Sequence, residues 1–249
     1  MSMFVITDAF VEQSRGKAGP PATAPETSTY ETCKLVLDFA LALVLLILTA
    51  PIVLFAMILI KLTSPGPAIY TQTRLGKNGQ PFTIYKLRTM ANNCESPTGA
   101  QWSVPGDARV TALGRWLRKT HIDELPQLWN VLRGDMSLIG PRPERPEFTP
   151  ALEQAIPLYR ERLKVRPGVT GFAQVQLPAD TDFDSVRIKL AYDLYYVGAM
   201  GIWFDIKIYL GTLFKVVGMP LKAIGKLCLF PPRDEIENAY EDRLSSPER

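Results

Sequence analysis

The chain has 249 residues, 47% apolar and 21% charged, enough to bury a sizeable core in one domain or two small ones. Its three cysteines, Cys33, Cys94 and Cys228, are odd in number and widely spaced, which speaks against a disulfide framework or a cysteine metal site and for a reducing compartment. The net charge of +3 is unevenly spread: between Lys61 and Arg133 ten Lys/Arg stand against four Asp/Glu, and the segment after Phe230 is acidic. A basic centre suits a phosphorylated ligand or an anionic lipid surface, although a solvated basic face gives the same pattern.

Residues 1–33, with "SRGKAGPPATAPETS", read as a disordered leader. Its mixed charges and the late apolar run exclude a secretory signal. The run itself, "FALALVLLILTAPIVLFAMILI" (Phe39–Ile60), is uncharged between Asp38 and Lys61. A straight helix of that length is roughly 33 Å, enough to cross a bilayer core. Pro51 near its middle deletes one helix hydrogen bond and predicts a kink or break at Ala50–Pro51. Two topologies follow: a kinked single pass, or a re-entrant helix that leaves on the side it entered. The basic segment after Ile60 favours a cytoplasmic body, while the leader carries no positive excess to orient it.

Beyond the run, β-rich stretches around Ala68–Thr73 and Pro81–Leu87, joined through "GKNG", predict a hairpin. A polar loop covers Ala91–Asp107. Helical spacing follows in Leu113, Trp116, Leu117, then Leu125, Leu128, Val131 and Leu132, with Gly134 as the stop. A helix is predicted near Pro150–Lys164, then an irregular "VRPGVTGFAQVQ", a helix near Asp184–Val197, and an amphipathic region from Ile202 to about Lys226. The fold class is therefore α+β: a membrane helix at 34–61, a compact body at 62–230 with a small hairpin and amphipathic helices, and a flexible acidic tail at 231–249.

Asp123 and Glu124 in "HIDELPQL" are adjacent carboxylates just before Pro126, a residue favoured in a helix's first turn. The positive end of a helix dipole favours their ionised forms. An ionised Asp can be a nucleophile and a neighbouring Glu can hold a divalent cation. Helix capping explains Thr120-x-x-Asp123 equally well without any chemistry. His121, the only histidine, has no Ser or Cys partner at a suggestive spacing and reads as a bystander. Among the basic residues, Arg74, Lys86 and Arg88 lie on the hairpin and Arg166 precedes Pro167-Gly168. Arg142 and Arg145 stand in "SLIGPRPERPEF". Prolines on both sides of Arg142 limit its freedom, and a guanidinium fork suits phosphate oxygens. Stiffly held arginines in a chain with a membrane segment and a carboxylate pair suggest a diphosphate substrate at a membrane surface.

The chain resembles the bacterial sugar transferases, the monotopic polyprenyl-phosphate phosphoglycosyl transferases, from about Lys34 to Lys215. The motifs that carry the resemblance are "DFALAL…TAP", "SPGPAIYTQTRLGKNGQPFTIYKLRTM", "GRWLRKTHIDELPQLWNVLRGDMSLIGPRPERPEF", "VRPGVTGFAQV" and "YDLYYV". The resemblance implies transfer of a sugar-1-phosphate from a nucleotide sugar, usually a UDP-sugar, to undecaprenyl phosphate with loss of UMP, at the cytoplasmic face of the bacterial inner membrane. It implies Asp123 as nucleophile and Glu124 as the Mg²⁺ ligand, with Asp123 as a second candidate ligand. Arg142, within Pro141-Arg142-Pro143, would hold the substrate phosphate, with Arg88 and Arg145 as weaker members of the cluster. It also implies a re-entrant helix broken at Ala50–Pro51, although many members carry Ser-Pro there. The expected partners are the nucleotide sugar, undecaprenyl phosphate and membrane lipids, with no nucleic acid; homo-oligomerisation is left open. A membrane-anchored binding protein that kept the fold without turnover, and a glycosyltransferase that moves the sugar without its phosphate, are the rival expectations.

Overall fold

The computed structural model describes residues 29–95, 106–178 and 182–245. The expected leader therefore lies outside the described residues up to residue 28. The apolar run forms one helix, α1 (Thr29–Thr63), longer at both ends than the uncharged stretch. It stays helical through Ala50–Pro51, with the proline inside the helix. Pro51 leaves the Ile47 carbonyl without its helical donor. One turn earlier, Thr49 Oγ1 donates to the Leu45 carbonyl at 2.7 Å, a back-bond of the kind that bends helices.

Both halves of α1 rest on the body. Ala42, Leu45 and Leu46 pack with Leu128, Val131 and Met136. Val53, Ala56, Met57 and Ile60 pack with Leu87, Leu113 and Leu117. The alanines Ala42 and Ala56 are buried in these contacts. The rest of the helix is open: only 11% of its most apolar stretch is buried, so it is no core helix of a water-soluble protein.

The hairpin forms as expected. Strands β1 (Ile69–Leu75) and β2 (Pro81–Leu87) pair antiparallel with Ile69 opposite Leu87 and Leu75 opposite Pro81. Asn78 and Gly79 take the left-handed conformations of the turn. Helix α2 (Ala112–Lys119) is capped by Thr111, whose hydroxyl accepts from Gly114 N at 2.9 Å. A 3₁₀ turn at Ile122–Glu124 and helix α3 (Gln127–Leu132) follow, and Gly134 at φ 79° ends the helical stretch.

Strand β3 (Ser137–Ile139) pairs parallel with β4 (Gly168–Thr170), a contact not visible in the irregular "VRPGVTG". Glycines make it: a Cβ on Gly168 would lie 2.1 Å from the Gly140 nitrogen. Between the strands, α4 (Thr149–Ala155) stops short of the expected Lys164; Leu158 turns left-handed and a 3₁₀ turn covers Tyr159–Lys164. Helices α5 (Phe172–Gln176) and α6 (Phe183–Ala199) come next, the latter closed by a reciprocal Asp182–Ser185 cap. The amphipathic region divides at Gly218 into α7 (Ile202–Val216) and α8 (Leu221–Leu227), with Trp203, Leu213 and Val217 exposed. The acidic stretch expected as a flexible tail is instead helix α9 (Arg233–Ser245), because Ile236 and Tyr240 on one face are buried in the main core.

Candidate active site

A cavity of about 590 Å³ opens between α1, α3, α5 and α7 and reaches the "PRPE" segment. Asp123 and Glu124 lie in the 3₁₀ turn, not at a helix start, and Thr120 is no N-cap but the C-cap of α2, its hydroxyl donating back to the Trp116 and Leu117 carbonyls. Glu124 forms part of the cavity wall. Its Oε1 accepts from Lys86 Nζ at 3.0 Å and from Arg142 Nη2 at 2.6 Å. Burial pushes the Glu124 carboxyl up, but Arg142 and Lys86 together hold it well below the usual carboxylate range. Lys86 is in turn lowered to about 8 by burial, against the pull of Glu124.

Asp123 is 8% exposed beside it. Burial and the neighbouring Glu124 charge raise its carboxyl to about 6, while Lys86, Arg118 and Arg142 pull the other way. The ionisation expected from a helix dipole is thus outweighed by desolvation. The sequence separates Lys86 from Glu124, but Asn130 brings them together. Its side chain donates to the Thr83 carbonyl at 2.7 Å and accepts from Tyr85 N at 3.1 Å, locking α3 onto β2.

Arg142 owes its position to the backbone around it. Two prolines remove donors from this segment, and four consecutive carbonyls are held from outside. Pro141 O accepts from Gly168 N at 2.9 Å, and Glu144 O from Leu75 N at 3.0 Å. Arg142 O accepts from Arg162 Nη2 at 2.8 Å, and Pro143 O from Arg74 Nη1 at 3.1 Å. Arg162 is buried and its guanidinium is paired with Asp193 at 2.7 Å. Backbone held at every residue fixes the root of the Arg142 side chain before any ligand arrives.

The other expected arginines divide. Arg74 lines the cavity; among the described residues its buried Nε–H has no hydrogen-bond partner, and burial lowers it to about 10. Arg88 is turned away, donating to the Pro65 and Ser64 carbonyls at 2.6 and 2.9 Å, where it closes the end of α1. Arg145 is bidentate to Glu95 at 3.0 and 3.1 Å and lies over Phe148. Arg166 donates to the Gly134 carbonyl. The cavity also gathers Glu144, Lys189, Lys215 and Gln174, none of which stood out in the sequence, and His121, which the sequence reading set aside. Only the polar residues of "VTGFAQV" and the lysines of α6 and α7 could have hinted at them, and their spacing carries no chemistry. His121 joins Glu124 at the wall through a left-handed backbone at φ 56°.

Among the described residues, the charged side chains lining the cavity are Arg74, Arg142, Lys189 and Lys215 against Glu124 and Glu144, an excess of two positive charges, with His121 neutral. The same cavity is apolar along Leu45, Leu128, Leu138, Val169 and Val216. Such a site can bind a dianion beside an apolar chain.

Comparison with known proteins agrees with this chemistry. The family model for bacterial sugar transferases matches residues 29–219. A protein of Aeromonas hydrophila, described as a UDP-N-acetylgalactosamine-undecaprenyl-phosphate N-acetylgalactosaminephosphotransferase, is 45% identical over 184 residues, 74% of this chain and 43% of that protein. A UDP-glucose:undecaprenyl-phosphate glucose-1-phosphate transferase of Caulobacter vibrioides is 48% identical over 182 residues, 72% of this chain and 68% of that protein. One of the same description from Escherichia coli is 40% identical over 180 residues, and the chain spans 39% of its length. A match that runs from the start of α1 past the end of α7, and so includes every residue of the cavity, shows that the chain belongs to the bacterial sugar transferase family.

Proposed function

We propose that this chain transfers a sugar-1-phosphate from a UDP-sugar to undecaprenyl phosphate, the first membrane step in assembling a surface glycan. The observation that carries the reading is one cavity with both characters: its wall holds the Glu124–Arg142 pair, with Lys86 bonded to Glu124 behind it, together with apolar side chains such as Leu45 of α1. The names of the relatives supply the substrate classes.

In this reading a carboxylate oxygen of Asp123 attacks the sugar-proximal phosphorus. The bond to the UMP oxygen breaks, UMP takes the electron pair, and the phosphosugar stays on Asp123. Arg142 and Arg74 hold the diphosphate oxygens and meet the charge that develops on them. The lipid phosphate then attacks the same phosphorus and Asp123 leaves as a carboxylate. Mg²⁺ fits these residues. Both ion pairs of Glu124 run to Oε1, so Oε2 and the Asp123 carboxyl would hold the cation. Among the described residues no cluster of three His, Cys, Asp or Glu offers a metal cage of its own. When bound, the cation screens the diphosphate and eases departure of UMP.

The helix α1 is read as re-entrant, with the body on the cytoplasmic face. Lys34, Ala42, Ala56 and Ile60 are all buried against one body. A helix held to the body in both its first and its last turns cannot carry one end across a bilayer while the body stays on the other side.

The test is product analysis with the full chain in membranes, undecaprenyl phosphate and a panel of UDP-sugars. UMP release with formation of a lipid-linked diphosphate sugar is expected; UDP release would make it an ordinary glycosyltransferase. Asp123→Asn, whose amide cannot form the acyl phosphate, is expected to abolish turnover and leave no radiolabelled phosphosugar on the protein. Substantial UMP release by that variant would remove Asp123 from the role.

A further inference from the structure

The buried start of α1 is bonded to α7. Asp205 accepts from Tyr30 Oη at 2.7 Å and from Lys34 Nζ at 2.5 Å, and Tyr209 Oη donates to Asp38 at 3.2 Å. Further along, Leu45 and Thr49 of α1 and Thr212 and Val216 of α7 line the cavity. Both threonine hydroxyls are occupied elsewhere. Thr49 donates to Leu45 O, and Thr212 donates to Ile208 O at 2.8 Å and shares a hydrogen bond with Thr170 at 2.9 Å. What they can show the cavity is therefore largely methyl, and the wall between the helices is apolar. Their sequence neighbours Leu48, Leu213 and Val217 are exposed, so α1 and the end of α7 present apolar side chains to the outside as well.

Lys215 lines the same cavity. Its ammonium donates to one neutral acceptor, the Gln174 carbonyl, and among the described residues it has no carboxylate within ion-pair distance. It lines the same cavity as Glu124 and Arg142, yet it lies on α7, while Arg142 lies on the proline segment and Arg74 on the hairpin. The cavity thus carries cations from separate elements: Arg142 from the proline segment, Arg74 from the hairpin, Lys189 from α6 and Lys215 from α7.

We infer that the space between α1 and α7 is the acceptor channel, in which the isoprenoid chain lies against Leu45, Thr49, Thr212 and Val216 and the lipid phosphate is bound by Lys215. The assignment rests on the transferase reading for the identity of the acceptor. It divides the charges of the site: the proline-segment arginine holds the donor diphosphate, and the α7 lysine holds the attacking phosphate. The apolar walls let the chain remain in a hydrocarbon-like environment while its head reaches a polar chamber. In the transfer, an oxygen of the Lys215-bound phosphate monoester forms the new bond to phosphorus, and the bond to the Asp123 oxygen breaks with its electron pair returning to the carboxylate.

The experiment uses the full chain in nanodiscs and measures KM separately for undecaprenyl phosphate and for the UDP-sugar. Lys215→Gln and Thr212→Trp, the second of which fills the channel, are expected to raise the acceptor KM at least tenfold with the donor KM within twofold; Lys215→Arg restores most of the loss. An unchanged acceptor KM, or a donor KM that rises in step, overturns the assignment. A second measurement needs no turnover. Farnesyl phosphate carrying a diazirine is expected to label peptides containing Leu45–Thr49 and Thr212–Val216, and undecaprenyl phosphate, not inorganic phosphate, competes the label away. Label confined to other peptides, or competed equally by inorganic phosphate, overturns the channel. Labelled channel peptides in a protein that turns over no nucleotide sugar would instead defeat the transferase reading and leave the polyprenyl phosphate site standing.

Discussion

Arg142 is held twice, by its own backbone and by Glu124. A side chain fixed in this way is ready to exchange one anion, the Glu124 carboxylate, for another, a substrate phosphate, with little ordering cost. Replacing it separates charge from geometry. Arg142→Ala is expected to weaken UDP-sugar binding by about 1.5–3 kcal/mol, roughly ten- to a hundredfold in Kd, and Arg142→Lys by less, since lysine keeps the charge and loses the fork. Isothermal titration checks it; unchanged affinity in Arg142→Ala would reduce the proline segment to a structural part. Arg162 and Asp193 lie behind it as a buried pair, and Arg162 reaches the Arg142 carbonyl. Asp193→Asn leaves a buried guanidinium without its counter-charge, which costs about 3–5 kcal/mol and lowers Tm by roughly 6–20 °C. If the pair also acts through Arg142, its effect on UDP-sugar affinity should largely vanish in the Arg142→Ala background, whereas independent contributions would add. Titration of both singles and the double variant decides between them.

At the scale of elements, α9 carries the clearest correction and an accessible test. Its composition is acidic, and only Ile236 and Tyr240 turn inward, Tyr240 donating to the Pro157 carbonyl at 2.9 Å. Two apolar anchors in thirteen residues make too weak a period to be read against six acidic side chains nearby. Ile236→Ala is expected to cost about 2–5 kcal/mol, seen as a lower midpoint in thermal unfolding; a flexible tail would show no change. The hairpin, α2, α3 and α6 were legible because turn residues, caps and apolar spacing are local signals. The β3–β4 pairing was not, because three-residue strands joined by glycines leave no pattern and exist only through contact. The site divides in the same way. Asp123, Glu124 and Arg142 stood out through unusual neighbours in sequence. Lys86 and Arg74 were read as basic residues of the hairpin, and only Asn130 and the Pro143 carbonyl show where they point. Arg88 and Arg145 look the same in sequence but are engaged by carbonyls and by Glu95. Lys189 and Lys215 depend on the packing of helices far apart in the chain.

For the whole molecule, the decisive relation is between α1 and everything else. Its apolar stretch is long enough to span, and its length taken alone favours a crossing. The packing favours the opposite. The first turns are bonded to α7 through a buried set of charges, Lys34 with Asp38 and Asp205, and the last turns lie on Leu87 and Leu117. Those contacts belong to one body, which carries the exposed cations Arg115 and Lys119 on α2 beside the end of α1. A body of that kind stays in water or at the headgroups, so both ends of the helix stay with it. Single cysteines at Ser14 and at the exposed Gln154, in a background lacking Cys33, Cys94 and Cys228, test this in intact cells with a membrane-impermeant thiol reagent. Neither is expected to react until the cells are opened, when both should. Reaction at Ser14 alone in intact cells would show a spanning helix. In that case the contacts of either its first or its last turns with the body could not exist in the membrane. Because the buried charge set and the two apolar clusters, more than Pro51, hold the helix to the body, Pro51→Leu is expected to leave Ser14 protected in most molecules. Exposure of Ser14 in that variant would make the proline the main determinant of topology.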